Sequence, residues 1–460
     1  MAKTKKHTFD YDLIVIGSGA GGSAAATIAA GEGKRVAIVE AETFGGDSPN
    51  YSDIPTKALL HAAQLYDEAK HGARFGLRSS TLGYNFPSLR SWKDLAVKRT
   101  GAGGNKRFYE NNGVVAIQGR AHFLSPHEIT VNRRHLSAEK FLIATGSVWE
   151  KPKIQGLETI PYLTPRTLLE VMRPPKSLFI VGGGKTGVEL AQLMATFGTK
   201  VYIAEIASRL LPQFDQEVGE LIATSLHDNK GVTPLTHARV VQVQKDGIGK
   251  RVTYSRGGAE KSVRVDEILV ATGRVPMVDL GLENAGVTFT PKGIAVNEHL
   301  QTNVRHIYAA GDVLGNESAT HTALLESRVA AHNMWSRAPI APDYSATPQL
   351  VFTHPGVAHV GLTEDDCNKR DLPVAISAAP LSIIARSNTS DFREGFVKLI
   401  ADRKTNVLIG ATVVAPHAAE IVHELALAIR HHLTAAQVAE TPHAFLSWSE
   451  AVRVAASRLA

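Results

Sequence analysis

Residues 11–40 read YDLIVIGSGAGGSAAATIAAGEGKRVAIVE and contain a complete strand–turn–helix–strand unit. An apolar strand (13–16) runs into Gly17-Ser18-Gly19-Ala20-Gly21-Gly22. A helix of small residues follows, and a second apolar strand (35–39) ends at Glu40. The glycines have separable jobs. Gly17 permits the tight turn, Gly19 lets backbone approach a pyrophosphate, and Gly22 lets the helix lie close on the strand. The helix N-terminus offers N–H groups and a positive dipole end to phosphates. Glu40, closing the second strand, can accept both hydroxyls of a ribose. Glycine triplets alone are common, but in this order with a terminal carboxylate they are specific for a dinucleotide.

The unit recurs. SLFIVGGGKTGVELAQLMATFGTKVYIAE carries Gly182, Gly184 and Gly187, and Glu205 closes its second strand. Gly17 to Glu40 and Gly182 to Glu205 both span 23 positions. The chain is therefore expected to bind two dinucleotides. The GGGKT within this stretch is not a phosphate-binding P-loop, because the earlier glycine of that motif would fall at Phe179. Glu205 favours a free ribose 2′-hydroxyl and repels a 2′-phosphate, so NADH is expected over NADPH. Arg209, four positions on, is the residue that would soften this preference. Two further apolar strands close on Thr145-Gly146 and Thr272-Gly273, and a third on Gly311-Asp312. An aspartate there suits both a cofactor hydroxyl and a helix N-cap.

At 460 residues the chain is long enough for two to four domains. It is 44% apolar and 20% charged, and no apolar run nears the roughly 20 residues of a membrane span. The start, MAKTKKHTFDYD, is basic but lacks the apolar stretch of a secretory signal, so a cytoplasmic location is expected. The net charge of +6 is dispersed, with only KTKK (3–6) and RHH (430–432) as short clusters, which is no nucleic-acid footprint. The single cysteine, Cys367, rules out an intrachain disulfide and a multi-cysteine metal site. No metal is expected.

Beyond these units the chain carries GGDSPNYSDIPTKALL (45–60), ATGS, ATGRVP, IYAAGDV, ATHTALLES, PQLVFTHPGVAHVGLTE and TPHAFLSWSEA. In order and spacing it resembles the flavoprotein pyridine nucleotide-disulfide oxidoreductases, the family of dihydrolipoamide dehydrogenase and mercuric reductase. That resemblance implies an α/β fold with two Rossmann-like dinucleotide-binding domains and a C-terminal α+β dimerisation domain. An FAD domain would comprise 1–150 and 273–345, an NAD domain 151–272, and a homodimer interface domain 346–460. It places the flavin cofactor against Gly17, Gly19, Ala20, Gly21, Gly22, Glu40, Gly46, Lys57, Ala121, Thr145, Gly146, Asp312, Ala319, Thr320 and His321. It places the nicotinamide cofactor against Gly182, Gly184, Lys185, Gly187, Glu205, Val240 and Gly273. Lys57 and Glu189 match an ion pair near the reactive end of the flavin, read either as tuning its potential or as a structural bridge.

The resemblance breaks at the exit for electrons. Ser48 and Asp53 stand where the family has its redox-active cysteines, and Phe445 where it has its catalytic histidine; Glu450 remains. Neither Ser nor Asp can replace a thiolate–disulfide couple, so disulfide or mercuric ion reduction by the family route is excluded. For Asp53 two readings stand. Burial would raise its pKa and let it hold a proton for a substrate, or it pairs with Lys57 one helical turn on or caps the helix. Ser48 is a polar filler or a substrate hydrogen-bond partner. Phe445 offers an aromatic face to a flat substrate. His443 is the one nearby group for proton transfer, or is structural. Asp47 replaces an expected threonine, and Lys185 either meets an anionic cofactor group or turns to solvent. The function implied is an FAD-dependent NADH oxidoreductase passing electrons from flavin to a small acceptor such as a quinone. The alternatives are a soluble pyridine nucleotide transhydrogenase, which Glu205 disfavours, and a non-catalytic flavoprotein scaffold or redox sensor.

Overall fold

The computed structural model describes residues 8–78, 81–100, 105–316 and 319–460. The basic cluster at 3–6 lies outside them. By packing, the chain divides into two units, one of Met1–Ala58, Ser91–Glu150 and Arg274–Pro342, the other of Leu59–Arg90, Lys151–Gly273 and Asp343–Ala460. No helix among the described residues is long and apolar enough to cross a membrane.

In the first unit, Tyr11–Ile16 lies in a parallel arrangement between Val36–Glu40 and Arg134–Ile143, with Leu13 opposite Val36 and Lys140. Val114–Gln118 extends this sheet on one side, and the antiparallel strands Glu128–Val131 and Ala121–Ser125 on the other. Ile307–Ala309 also pairs with Arg134–Ile143, so the late strand returns beside the early ones. Leu13, Ile14 and Val15 are buried on both faces, which is why they read as a continuous apolar run rather than an alternating one. Helices Ala20–Gly31 and Thr320–Trp335 pack together, joined by the Ala25 N–H donating to Ser327 Oγ at 2.9 Å.

Among its described residues the second unit holds three sheets of different design. Ser177–Val181 and Lys200–Ala204 pair in parallel and are flanked by Thr233–Leu235 and Glu267–Val270. A three-stranded antiparallel sheet, Ala238–Asp246, Gly249–Arg256 and Ala259–Val265, follows. The C-terminal part is a five-stranded antiparallel sheet, in the order Gln349–Val351, Gly356–Gly361, Leu408–Ala415, Phe396–Asp402 and Val374–Pro380. Helix Ala418–Arg430 turns Ile421, Val422 and Leu425 onto that sheet.

Within this unit a buried cation ties the start of helix Gln216–Lys230 and that of helix Glu364–Lys369 to the C-terminal sheet. Lys398 Nζ lies 2.6 Å from Glu217 Oε1, 2.7 Å from Glu364 Oε2 and 3.0 Å from Asp215 Oδ2. Burial by itself lowers the Lys398 pKa, but the three carboxylates outweigh it and push it well above the ordinary lysine range. Asp215 is itself buried, so removing the ammonium strands a carboxylate in the interior. Lys398→Ala is expected to lose about 3–5 kcal/mol, read as a lower urea midpoint, with Lys398→Arg retaining part of it. Because the folded pKa is raised, this contribution is complete below the ordinary lysine pKa. It fades only as pH rises through the folded value. An unchanged midpoint in Lys398→Ala would contradict this.

Candidate functional site

Both glycine turns are built alike. Gly17 has φ of +102° and Gly182 of +112°, a region that side chains rarely enter. A Cβ on Gly22 would sit 2.0 Å from the Gly17 oxygen, and one on Gly187 2.0 Å from that of Gly182. Gly19 and Gly184 cap their helices, with Ala20 and Lys185 as the first helical residues. A Cβ on Gly184 would meet nothing within 4 Å, so the cradle at this N-terminus is clear for a phosphate. On Gly19 it would approach only the Gly46 Cα, at 3.8 Å. Gly46 in turn has φ of +73° and no room for a side chain, since its Cβ would fall 2.6 Å from the Gly19 Cα. A Cβ on Gly21 would lie 2.9 Å from the Ala310 oxygen.

The two strand-end carboxylates are held by equivalent backbone groups. Glu205 accepts the N–H of Gly183 and of Ala207, each at 2.8 Å. Glu40 accepts the N–H of Ser18 at 3.0 Å and of Glu42 at 2.8 Å, and also the Ser18 hydroxyl at 2.6 Å. A carboxylate has about four acceptor positions. That leaves two open acceptor positions on Glu205 and one on Glu40, where the expected double ribose contact at Glu40 would need two. The extra contact comes from Ser18, which occupies the position of Gly183. These observations fit an FAD in the first unit and a nicotinamide dinucleotide in the second.

The position where the family resemblance places the redox cysteines holds a polar cluster. Helix Asp53–Lys70 begins at Asp53, and helix Thr320–Trp335 at Thr320. Ser48 Oγ and Thr320 Oγ1 each donate to Asp53 Oδ2 at 2.7 Å, and Thr320 Oγ1 also bonds Ser48 Oγ at 3.1 Å. Lys57 Nζ is 3.5 Å from Asp53 Oδ1. Burial raises the Asp53 pKa, but the Lys57 ammonium and the hydroxyls of Thr320 and Ser48 outweigh it and hold it below the ordinary value. The raised pKa anticipated from burial is therefore corrected. Asp53 is held as an anion at neutral pH rather than as a carboxylic acid with a proton to give.

Asp312 opens a short turn after Ile307–Ala309, and its Oδ2 accepts the Ser147 hydroxyl at 2.6 Å. Sequence reasoning missed what surrounds it. Arg274 donates from Nε to Ser147 Oγ at 2.7 Å and from Nη1 to Asp47 Oδ2 at 3.0 Å, and its guanidinium stands 4.6 Å over the Trp149 ring. Asp47, noticed only as a departure from threonine, is thus an ion-pair partner. Thr145 Oγ1 bonds the Met277 oxygen at 2.7 Å, Gly146 has φ of +74°, and Ala121 starts an antiparallel strand opposite Val131. Ala319 caps the helix whose second residue is His321.

In the second unit Glu189 is buried and its Oε1 accepts the Phe352 N–H at 2.7 Å. Lys185 is half-buried. Val240 is buried in the strand Ala238–Asp246, and Gly273, with φ of +135°, follows Glu267–Val270. Near the C-terminus, Phe445 is 75% exposed. His443 faces acceptors through both ring nitrogens, Thr441 O at 2.7 Å and Glu424 Oε2 at 3.1 Å. Glu450 Oε2 accepts the Leu446 N–H at 3.1 Å.

The sequence model of the pyridine nucleotide-disulphide oxidoreductases matches residues 11–332, and that of the family's dimerisation domain matches 347–456. The chain belongs to this family. It is 36% identical over 456 residues to a dihydrolipoyl dehydrogenase of Thermus scotoductus, covering 98% of this chain and 97% of that one. It is 35% identical to a mercuric reductase of Streptomyces lividans, covering 97% and 95%. The hypochlorous-acid-induced flavoprotein disulfide reductase RclA of Escherichia coli superposes with a TM-score of 0.86 at 28% identity, covering 97% and 99%. The family comprises FAD-dependent NAD(P)H oxidoreductases, and this member lacks the cysteine pair. Its one cysteine, Cys367, is buried, and burial raises its thiol pKa.

The ionised state of Asp53 has a pH signature. With a depressed folded pKa, its stabilising contribution is present above the unfolded carboxylate pKa and is lost as pH falls through the folded one. The side chain is 44% exposed, so the contribution is within about 1 kcal/mol. The melting-temperature advantage of the unaltered protein over Asp53→Asn should shrink between neutral pH and pH values below the carboxylate range. An advantage that grows on acidification would mean the protonated form is favoured.

Proposed function

We propose that the protein is an FAD-dependent NADH oxidoreductase that passes electrons directly from flavin to a small, flat acceptor such as a quinone, and that it works as a homodimer through its C-terminal domain. The observation that carries this reading is the Ser48–Asp53–Thr320–Lys57 cluster. It fills the dithiol position with groups that hold charge and hydrogen bonds but cannot store electrons. Bound FAD supplies two-electron acceptance from a nicotinamide and its delivery onward. The chain supplies the rest. The glycine turn and the N-terminus of helix Ala20–Gly31 hold the pyrophosphate, and Glu40 a ribose hydroxyl. Glu205 takes the ribose hydroxyls of the nicotinamide cofactor and disfavours a 2′-phosphate. Lys57 carries positive charge, which favours anionic reduced flavin, and Glu189 is its family-matched partner. Asp53, ionised, supplies no proton and instead holds Lys57 and the hydroxyls of Ser48 and Thr320 in place, so the protons that a quinone takes up on reduction come from solvent, and exposed Phe445 offers an apolar face for a flat molecule.

Mixing the protein anaerobically with NADH should bleach the visible flavin band quickly, and adding a quinone should restore it. Asp53→Ala should slow the second step while sparing the first. Bleaching without recovery would remove quinones as the acceptor class. Equal bleaching by NADH and NADPH, with hydride exchange between nucleotides, would bring the transhydrogenase reading forward. No bleaching would leave a scaffold or sensor.

A further inference from the structure

The loop after strand Lys200–Ala204 carries the fixed anion Glu205 and, four positions later, Arg209. Arg209 is the only lysine or arginine between residues 201 and 229. An arginine near this carboxylate position is the usual means by which a dinucleotide fold accommodates a 2′-phosphate. Here one nitrogen of that arginine is committed elsewhere, while its buried Nε has no hydrogen-bond partner among the described residues. Its Nη2 donates to Asp365 Oδ2 at 2.8 Å, to the Phe214 oxygen at 3.0 Å and to the Pro212 oxygen at 3.4 Å. Its side chain is only 20% exposed. We infer that Asp365 is a specificity-determining residue of the second dinucleotide unit, holding Arg209 in an ion pair so that a 2′-phosphate finds no cation. This rests on the NADH reading proposed above.

Asp365 is well placed for the task. It sits in the first turn of helix Glu364–Lys369 with two other carboxylates, and both of those are already engaged. Glu364 accepts from Lys398 Nζ, and its N–H donates to Asp215 Oδ1 at 2.9 Å. Asp366 closes a capping box with Thr363. These bonds fix the helix start, so Asp365 is presented to Arg209 from a rigid turn. Of the three acceptors on the guanidinium, it is the only charged one, and charge-assisted bonds are the strong ones. Its own negative charge also opposes a phosphate drawn to that guanidinium. The two carbonyl bonds are neutral and are the weaker part of the restraint.

The test is a binding titration of the oxidised holoprotein with NAD+, NADP+ and 2′,5′-ADP, which needs no turnover. Asp365→Asn should tighten NADP+ and 2′,5′-ADP about tenfold while NAD+ changes less than twofold. Adding Arg209→Ala should return both phosphate-bearing ligands to their original affinity, and Asp365→Glu should behave as the unaltered protein. The gain should fall as salt is raised. Unchanged NADP+ affinity in a folded Asp365→Asn protein would overturn the inference. So would weaker NADP+ binding in Arg209→Ala alone, because Arg209 would then already reach the phosphate. Failure of the NADH reading shows separately, as NADP+ binding more tightly than NAD+ to the unaltered protein.

Discussion

The close approach of each dinucleotide helix to its own glycine turn is the constraint on which the two binding units depend. A single β-carbon at Gly22 or Gly187 would lie 2.0 Å from the carbonyl oxygen of the preceding turn, far inside contact distance. Without those glycines the helix would have to lift away from the strand, and its N–H groups would no longer stand where the second strand ends. The terminal carboxylates depend on the same geometry. Glu40 and Glu205 are each held by the backbone N–H of the residue between the first two glycines. Turn, helix and carboxylate thus form one closed backbone arrangement, made twice.

On this scaffold the position matched to the family's cysteine pair carries different chemistry. Where the family has two sulfur atoms, this chain has a carboxylate bonded by two hydroxyls and faced by an ammonium. Such a cluster satisfies its own charge and hydrogen-bonding capacity, so it is stable in a partly buried place. It offers no soft atom for exchange, and its carboxylate is held ionised.

The motifs themselves were legible because they are local. Strand, turn, helix and carboxylate lie within 23 positions, so spacing along the chain determines their geometry. The pairing of Lys57 with Asp53 was equally readable, being one helical turn apart. The Arg274 network was not. Asp47 and Arg274 are 227 positions apart, and nothing in the neighbourhood of either announces the other. Arg209 likewise looked like a candidate for a phosphate until its partner 156 positions away was seen.

The sequence by itself determined the two dinucleotide units, the family, and the absence of a dithiol, because each depends on residue identity at short, countable spacings. One cysteine cannot make a disulfide in any conformation of a single chain. Only the tertiary structure decided the ionisation of Asp53, since burial is set first against the nearby Lys57 ammonium and then against hydroxyls that include Thr320, 267 positions distant. It alone decided that Glu40 is more fully occupied than Glu205, and that Arg209 is spent on Asp365. In each case the outcome depends on which distant groups reach a charge, and packing sets that after the local elements have formed.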